Sequence, residues 1–148
     1  MEKERKLNTL LAQAGVKTDQ TTGALTTPLH FSTTYQHPEF GQSTGYDYTR
    51  TKNPTRVSLE ETLAAIESAD YALATSSGMS AIVLAFSAFP VGSKVLAVRD
   101  LYGGSFRWFA QAEAEGRFAF TYANTEEDLL NNLTEDIDIV YIETPTNP

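Results

Sequence analysis

Cysteine is absent from the 148 residues, which excludes a disulfide framework and any thiolate-ligated metal site. Histidine is scarce: His30 and His37 are the only two, with no carboxylate at ligand spacing, so no metal centre is expected. Positive charge is also in short supply. Eleven Lys and Arg stand against nineteen Asp and Glu, a formal charge of −8, which argues against a nucleic-acid partner that needs clustered cations on phosphates. No stretch approaches the roughly 20 uninterrupted apolar residues of a membrane-spanning helix. The opening Met1-Glu-Lys-Glu-Arg-Lys6 is charged where a secretory signal would be apolar. The expectation is a cytoplasmic protein with no membrane partner. Neither a Walker A motif nor G-x-G-x-x-G occurs, so a nucleoside triphosphate or a dinucleotide is not supported.

What is present reads as globular: 41% of residues are hydrophobic and 11% aromatic, too many for a disordered chain. The chain divides by texture. Lys3 to Ala14 suits a short helix. From Thr18 to Arg56 the sequence is rich in Thr, Gly, Pro and Tyr and holds no period for long. Its aromatics (Phe31, Tyr35, Phe40, Tyr46 and Tyr48) suit an extended arm that gains order by lying on a partner.

Beyond Asn53 the signals become regular. Asn53-Pro54 is a helix cap followed by proline at the first helical position, and Leu59, Leu63 and Ile66 mark one apolar face of a helix ending near Ser68. A short strand is predicted over Tyr71–Ala74, a polar turn over Thr75–Gly78, and an apolar helix from Met79 to Phe89. Next come a buried-type strand over Lys94–Val98, a loop over Arg99–Gly104 and a helix from Ser105 to about Glu115. A strand over Phe118–Ala123 and a helix capped by Thr125 follow, then a strand over Ile137–Ile142. Helices alternating with short apolar strands predict an α/β fold: a mainly parallel sheet flanked by helices on both faces. The expected division is an arm over 1–56 and the first part of a sheet domain over 57–148.

Three places near strand ends can carry chemistry, because ligands of open α/β sheets bind outside the carboxyl ends of the strands. Ser76-Ser77-Gly78-Met79 leads into a helix whose free N–H groups can hold a phosphate, although an ordinary capped helix has the same sequence. Tyr102-Gly103-Gly104 offers a ring to stack on a flat heteroaromatic, or simply a tyrosine packed over a turn. Asn147 offers a polar anchor, or a turn residue before proline. In the arm, Tyr48 and Arg50 can address one phosphate if the segment is extended, since residues two apart then share a face. A solvated arginine beside a packing tyrosine is the alternative.

Four ordered segments make the set recognisable: Tyr46-Asp-Tyr-Thr-Arg-Thr-Lys-Asn-Pro-Thr-Arg56, Ser76-Ser-Gly-Met-Ser-Ala81, Asp100-Leu-Tyr-Gly-Gly-Ser-Phe-Arg107 and Glu143-Thr-Pro-Thr-Asn-Pro148. Together with Thr22-Gly-Ala-Leu-Thr-Thr-Pro-Leu29, they resemble the cystathionine γ-synthase/β-lyase family of pyridoxal 5'-phosphate (PLP) enzymes over nearly the whole chain. The resemblance implies an extended N-terminal arm plus part of the large PLP-binding domain of a fold-type I, aspartate aminotransferase-like enzyme. It implies that Ser77, Gly78 and Met79 bind the PLP phosphate. Tyr102 would stack on the pyridine ring and take part in proton transfer, Asn147 would lie near the 3-hydroxyl, and Glu143, in the same motif, would also belong to the cofactor-binding set. Tyr48 and Arg50 would reach the phosphate of a neighbouring subunit in a homotetramer built from dimers with shared sites.

One departure from the family is large. The family's pyridinium aspartate, its Schiff-base lysine in a Ser-x-Thr-Lys context and its substrate-carboxylate arginine all lie further along. Here the lysines are Lys3, Lys6, Lys17, Lys52 and Lys94, none in that context. The expectation is therefore an N-terminal fragment, inactive by itself. The intact enzyme is expected to resemble the cystathionine γ-synthase/O-acetylhomoserine sulfhydrylase branch, acting on a homoserine ester, cysteine or cystathionine. A cystathionine β-lyase, γ-lyase or methionine γ-lyase is the alternative within the family. A non-catalytic remnant or phosphate-binding module is the alternative outside it.

Overall fold

Three of the apolar runs become strands of one parallel sheet. In the computed structural model, which describes residues 7–16 and 19–146, these are β1 (Ser93–Val98), β2 (Phe118–Ala123) and β3 (Ile139–Tyr141). The helices among the described residues are α1 (Leu7–Ala12), α2 (Pro54–Ile66), α3 (Gly78–Phe86), α4 (Gly103–Ala114) and α5 (Glu126–Asn132). The chain forms two compact units that meet at Ala74 and Thr75.

The first unit holds the arm, α1 and α2. Asn53 caps α2 as expected, its side chain accepting from the N–H groups of Thr55 and Arg56. The arm, expected to be extended and to gain order on a partner, also carries a short internal ladder. Tyr35 N–H donates to the Asp47 carbonyl at 3.2 Å and Thr49 N–H to that of Thr33 at 2.9 Å, around an antiparallel bridge between Thr34 and Tyr48. It is also stitched to the start of α2. Asn53 Nδ2 donates to the His30 carbonyl at 3.0 Å, and the Thr55 hydroxyl accepts from His30 N–H at 2.9 Å. Threonine and asparagine side chains thus do what a regular sheet would do elsewhere, satisfying backbone groups that have no repeating partner.

The strand expected over Tyr71–Ala74 does not form. A strand exists through a ladder, and no strand pairs with this segment among the described residues; Tyr71 and Leu73 stand exposed. Its one backbone tie is Ala74 N–H to the Glu60 carboxylate at 3.0 Å.

In the second unit the sheet order is β2-β1-β3, all parallel. The path from β1 to β2 runs one way across the sheet and the path from β2 to β3 runs back past β1. Right-handed crossovers in opposite directions place their helices on opposite faces. The burial pattern agrees. Val95 and Ala97 of β1 and Phe118 of β2 share a core with Phe86 and the α4 residues Phe109 and Ala112. Leu96 points the other way by the pleat and is also fully buried, on the face whose neighbouring residues Lys94, Ala119 and Thr121 border the end of α5. Aromatic contacts hold α3 and α4 over the sheet, with Phe86 5.2 Å from Phe109 and Phe109 4.9 Å edge-on to Tyr141. The expectation of a parallel sheet flanked by helices holds.

Element ends shift for local reasons. The helix α3 stops at Phe86, not Phe89, because the N–H groups of Ala88 and Phe89 turn to carbonyls three residues back, Ala85 at 3.3 Å and Phe86 at 3.1 Å. α4 starts at Gly103, two residues early, with Tyr102 as its cap. β3 is shorter than expected because Ile137 N–H is taken by the Thr134 carbonyl in a turn, leaving ladder pairing to Ile139–Tyr141.

Candidate functional site

The order β2-β1-β3 makes the β1/β3 boundary a switch point, with successive connections leaving in opposite directions. The crevice at the carboxyl ends of such strands is where open α/β sheets bind ligands. The loops after β1 and β3 are neighbours there. Thr146 donates to Asp100 at 3.0 Å, and Glu143 receives Tyr102 N–H at 2.7 Å. The chain leaves β3 through a cis Thr144–Pro145 peptide.

A cleft of about 540 Å³ opens at this edge, lined by Ser77, Gly78, Met79, Ile82, Tyr102, Ser105, Tyr141 and Glu143. Its size falls within the range of small-molecule sites. Five of the residues expected from sequence to form a site are therefore brought together. Asn147 lies outside the described residues. Tyr48 and Arg50 belong to the first unit. The segment there is not extended, because Thr51 and Lys52 N–H both fold back to the Tyr48 carbonyl at 3.0 Å. The Arg50 guanidinium nonetheless lies 5.1 Å from the centre of the Tyr48 ring.

The α3 end of the cleft presents backbone donors. The Ser77 hydroxyl caps Ser80 N–H at 3.1 Å and meets the Ser80 hydroxyl at 2.9 Å. That leaves the N–H groups of Gly78 and Met79, the first two of the helix, with no acceptor among the described residues. Unspent N–H groups at the positive end of a helix attract a phosphate. Gly78 is open: a Cβ there would meet nothing within 4 Å.

Opposite stands Tyr102. Its ring lies over the first turn of α4, where a Cβ on Gly104 would come within 2.4 Å of the ring's Cε1 and 3.2 Å of Met79 Sδ. Gly104 is thus the gap into which the ring fits. Tyr102 lines the cleft and is 46% exposed.

Glu143 closes the floor. One carboxylate oxygen accepts Tyr102 N–H; the other accepts the hydroxyls of Ser105 and Tyr141, each at 2.7 Å. Burial raises its carboxyl, but the Tyr141, Tyr102 and Ser105 donors outweigh that and hold it below the ordinary value, so it is ionised. Burial, the largest cause, raises the Tyr141 phenol and keeps it a donor. Gly104 and Ser105 entered the sequence reading only as members of the Asp100–Arg107 segment, without roles of their own, and Tyr141 only as a strand residue.

Comparisons with known proteins place the chain in a family. The family model described as "Cys/Met metabolism PLP-dependent enzyme" matches residues 8–148, and the chain belongs to that family. The chain is 41% identical over 96% of its length to the cystathionine gamma-synthase/O-acetylhomoserine (thiol)-lyase of Bacillus subtilis, of which it covers 39%. It is 39% identical over 97% of its length to the cystathionine gamma-lyase of Dictyostelium discoideum, covering 38% of that protein. A cystathionine beta-lyase of Bacillus subtilis is 35% identical over 96% of the chain, which covers 37% of it. Among solved structures, the cystathionine gamma synthase of Xanthomonas oryzae pv. oryzae in complex with cystathionine superposes with a TM-score of 0.88 at 37% identity. That match spans 97% of this chain and 38% of the other. The chain therefore spans about two fifths of the length of the relatives it matches.

Proposed function

We propose that this chain supplies the phosphate- and ring-binding part of a PLP site in a trans-sulfuration enzyme. The observation that carries the reading is the cleft at the β1/β3 switch point, where two unspent helix N–H groups face a half-exposed tyrosine ring. A flat ring bearing a phosphate fits that pair of features.

In this reading the N–H groups of Gly78 and Met79, beside Ser77, hold the phosphate, and Tyr102 lies against the pyridine ring. Asn147 serves the 3-hydroxyl edge, and Tyr48 and Arg50 reach the phosphate of a neighbouring subunit in a homotetramer. Bound there, the cofactor supplies an electron-withdrawing ring that acidifies the α-proton of an amino acid, allowing a group at Cβ or Cγ to leave or be replaced. The Tyr102 phenol, at the mouth of the cleft, holds and returns a proton during that chemistry. The family's covalent lysine has no counterpart among these residues, so on this reading the 148 residues alone do not turn over substrate.

The intact protein is read as a cystathionine γ-synthase/O-acetylhomoserine sulfhydrylase, replacing the leaving group of an activated homoserine ester with a thiol. Identity to a protein of that type is 41%, against 39% and 35% for the γ- and β-lyases above. The test is to give the intact, PLP-loaded protein a homoserine ester with cysteine, and separately cystathionine alone. Cystathionine formation from the ester supports the synthase reading. Release of 2-oxobutyrate or pyruvate from cystathionine, without synthesis, replaces it with a γ- or β-lyase.

A further inference from the structure

We infer that Glu143 is a positioning residue that caps α4 from a neighbouring strand and thereby fixes the ring of Tyr102, without itself touching the cofactor. The inference rests on the reading of the cleft as a PLP site.

Tyr102 occupies the cap position of α4 but has no side-chain acceptor for the helix's first N–H groups, and no side-chain cap bond is made. In a capping box, a carboxylate one turn into the helix reaches back to the cap residue's own N–H. Here that carboxylate comes from the end of β3. Glu143 Oε2 takes Tyr102 N–H at 2.7 Å, while Oε1 takes the Ser105 hydroxyl, one turn into α4, also at 2.7 Å. A single carboxylate thus grips the helix at both ends of its first turn and places negative charge at the positive end of its dipole. The Tyr141 hydroxyl supplies the third bond and anchors Glu143 to its own strand.

Two facts argue against a direct contact with the cofactor. An ionised carboxylate only accepts hydrogen bonds, and protein donors take three of the roughly four acceptor positions of Glu143. Ser105 is fully buried, so that oxygen is tied into the protein interior. Glu143 reaches the ligand through Tyr102 instead. With the Tyr102 backbone pinned, the ring rests in the gap left by Gly104, on the side where Met79 Sδ also lies. A cap supplied from β3 therefore couples the strand end to the ring that faces the cleft.

The test is a cofactor-affinity cycle on the intact holoenzyme with Glu143→Gln, Tyr102→Ala and the double variant, together with amide exchange at Tyr102. The amide oxygen of Gln can replace only one carboxylate oxygen, so Glu143→Gln is expected to speed Tyr102 amide exchange and weaken PLP binding about tenfold. In the Tyr102→Ala background the same change is expected to cost almost nothing further in PLP affinity, because the ring it positions is gone. Additive losses overturn the inference and put Glu143 on the cofactor. An intact wild-type protein that binds no PLP overturns the cofactor reading instead, and accelerated exchange at Tyr102 in Glu143→Gln still reports the cap. If Glu143→Gln does not fold, Tyr141→Phe and Ser105→Ala each remove one donor from Oε1. Each is expected to give a milder loss, about threefold, that vanishes with Tyr102→Ala; a loss that persists there refutes the proposal.

Discussion

Gly104→Ala separates stability from cofactor binding more cleanly than any other change in this chain. The new Cβ would sit 2.4 Å from Tyr102 Cε1 and 3.0 Å from Cδ1, where carbon atoms at rest stand about 3.5–4.0 Å apart. The obstacle is the outer edge of a side chain, half-exposed and free to swing, so the ring yields and the backbone stays. Forcing the ring out costs about 1 kcal/mol, the low end of overpacking penalties. Ala in place of Gly inside a helix returns about 1 kcal/mol. The two nearly cancel, and the melting temperature of the intact protein is expected to move little. PLP affinity is not protected by that cancellation. A displaced ring forfeits an aromatic stack worth about 0.5–1.5 kcal/mol, or roughly three- to tenfold in the dissociation constant. The assay is cofactor titration of apo-enzyme followed by absorbance, beside a thermal melt. Unchanged PLP affinity with an unchanged melt would show that the Tyr102 ring does not bear on the cofactor, and the site as drawn would be wrong.

Other consequences follow. Arg50→Ala is expected to weaken PLP retention of the intact assembly about tenfold or more, the scale of a charge-assisted contact to phosphate; unchanged retention would remove Arg50 from the site. Asn53→Ala removes the cap of α2 and the bonds to the His30 carbonyl and the Thr49 hydroxyl. It should lower urea-measured stability of the intact protein by about 2 kcal/mol, and a change under about 0.5 kcal/mol would contradict the stitching of arm to helix. The hydrogen bond from Lys94, then that from Thr134, holds the Asp136 carboxyl down to about 2 from its ordinary 3.8. A depressed acid stabilises the fold above its ordinary value and loses that contribution as pH falls through its folded value. Asp136→Asn is accordingly expected to flatten the acid limb of stability between pH 3.8 and about 2. Because the pair is exposed, high salt should shrink the difference; an identical limb in both proteins would refute the assignment.

The parts that could be read from sequence were those governed by local rules. Asn53-Pro54 and Thr125 announced helix starts through capping chemistry, and Phe118–Ala123 announced a strand with the bounds it adopts. The strand expected over Tyr71–Ala74 failed because propensity cannot show whether a partner strand lies alongside. The arm's ladder was missed because its bonds, Tyr35 to Asp47 and Thr49 to Thr33 around the Thr34–Tyr48 bridge, are made by residues without a repeating pattern. In the site, Gly78, Met79, Tyr102 and Glu143 were visible as motif residues. What joins them was not: Ser105 read as an ordinary helix-start residue, Tyr141 as a strand residue, and Gly104 as loop. Tyr102 and Ser105 meet Glu143 across 41 and 38 positions of chain, which spacing rules do not reach.

The central claim is that a phosphate-bearing ring sits between the start of α3 and Tyr102. The structure of the intact protein with PLP bound tests it most directly. The account predicts the phosphate within hydrogen-bonding distance of the Gly78 and Met79 N–H groups, the pyridine ring against Tyr102, and Glu143 still holding Tyr102 N–H. PLP bound away from the β1/β3 edge, or bound there with those two N–H groups facing solvent, would contradict it.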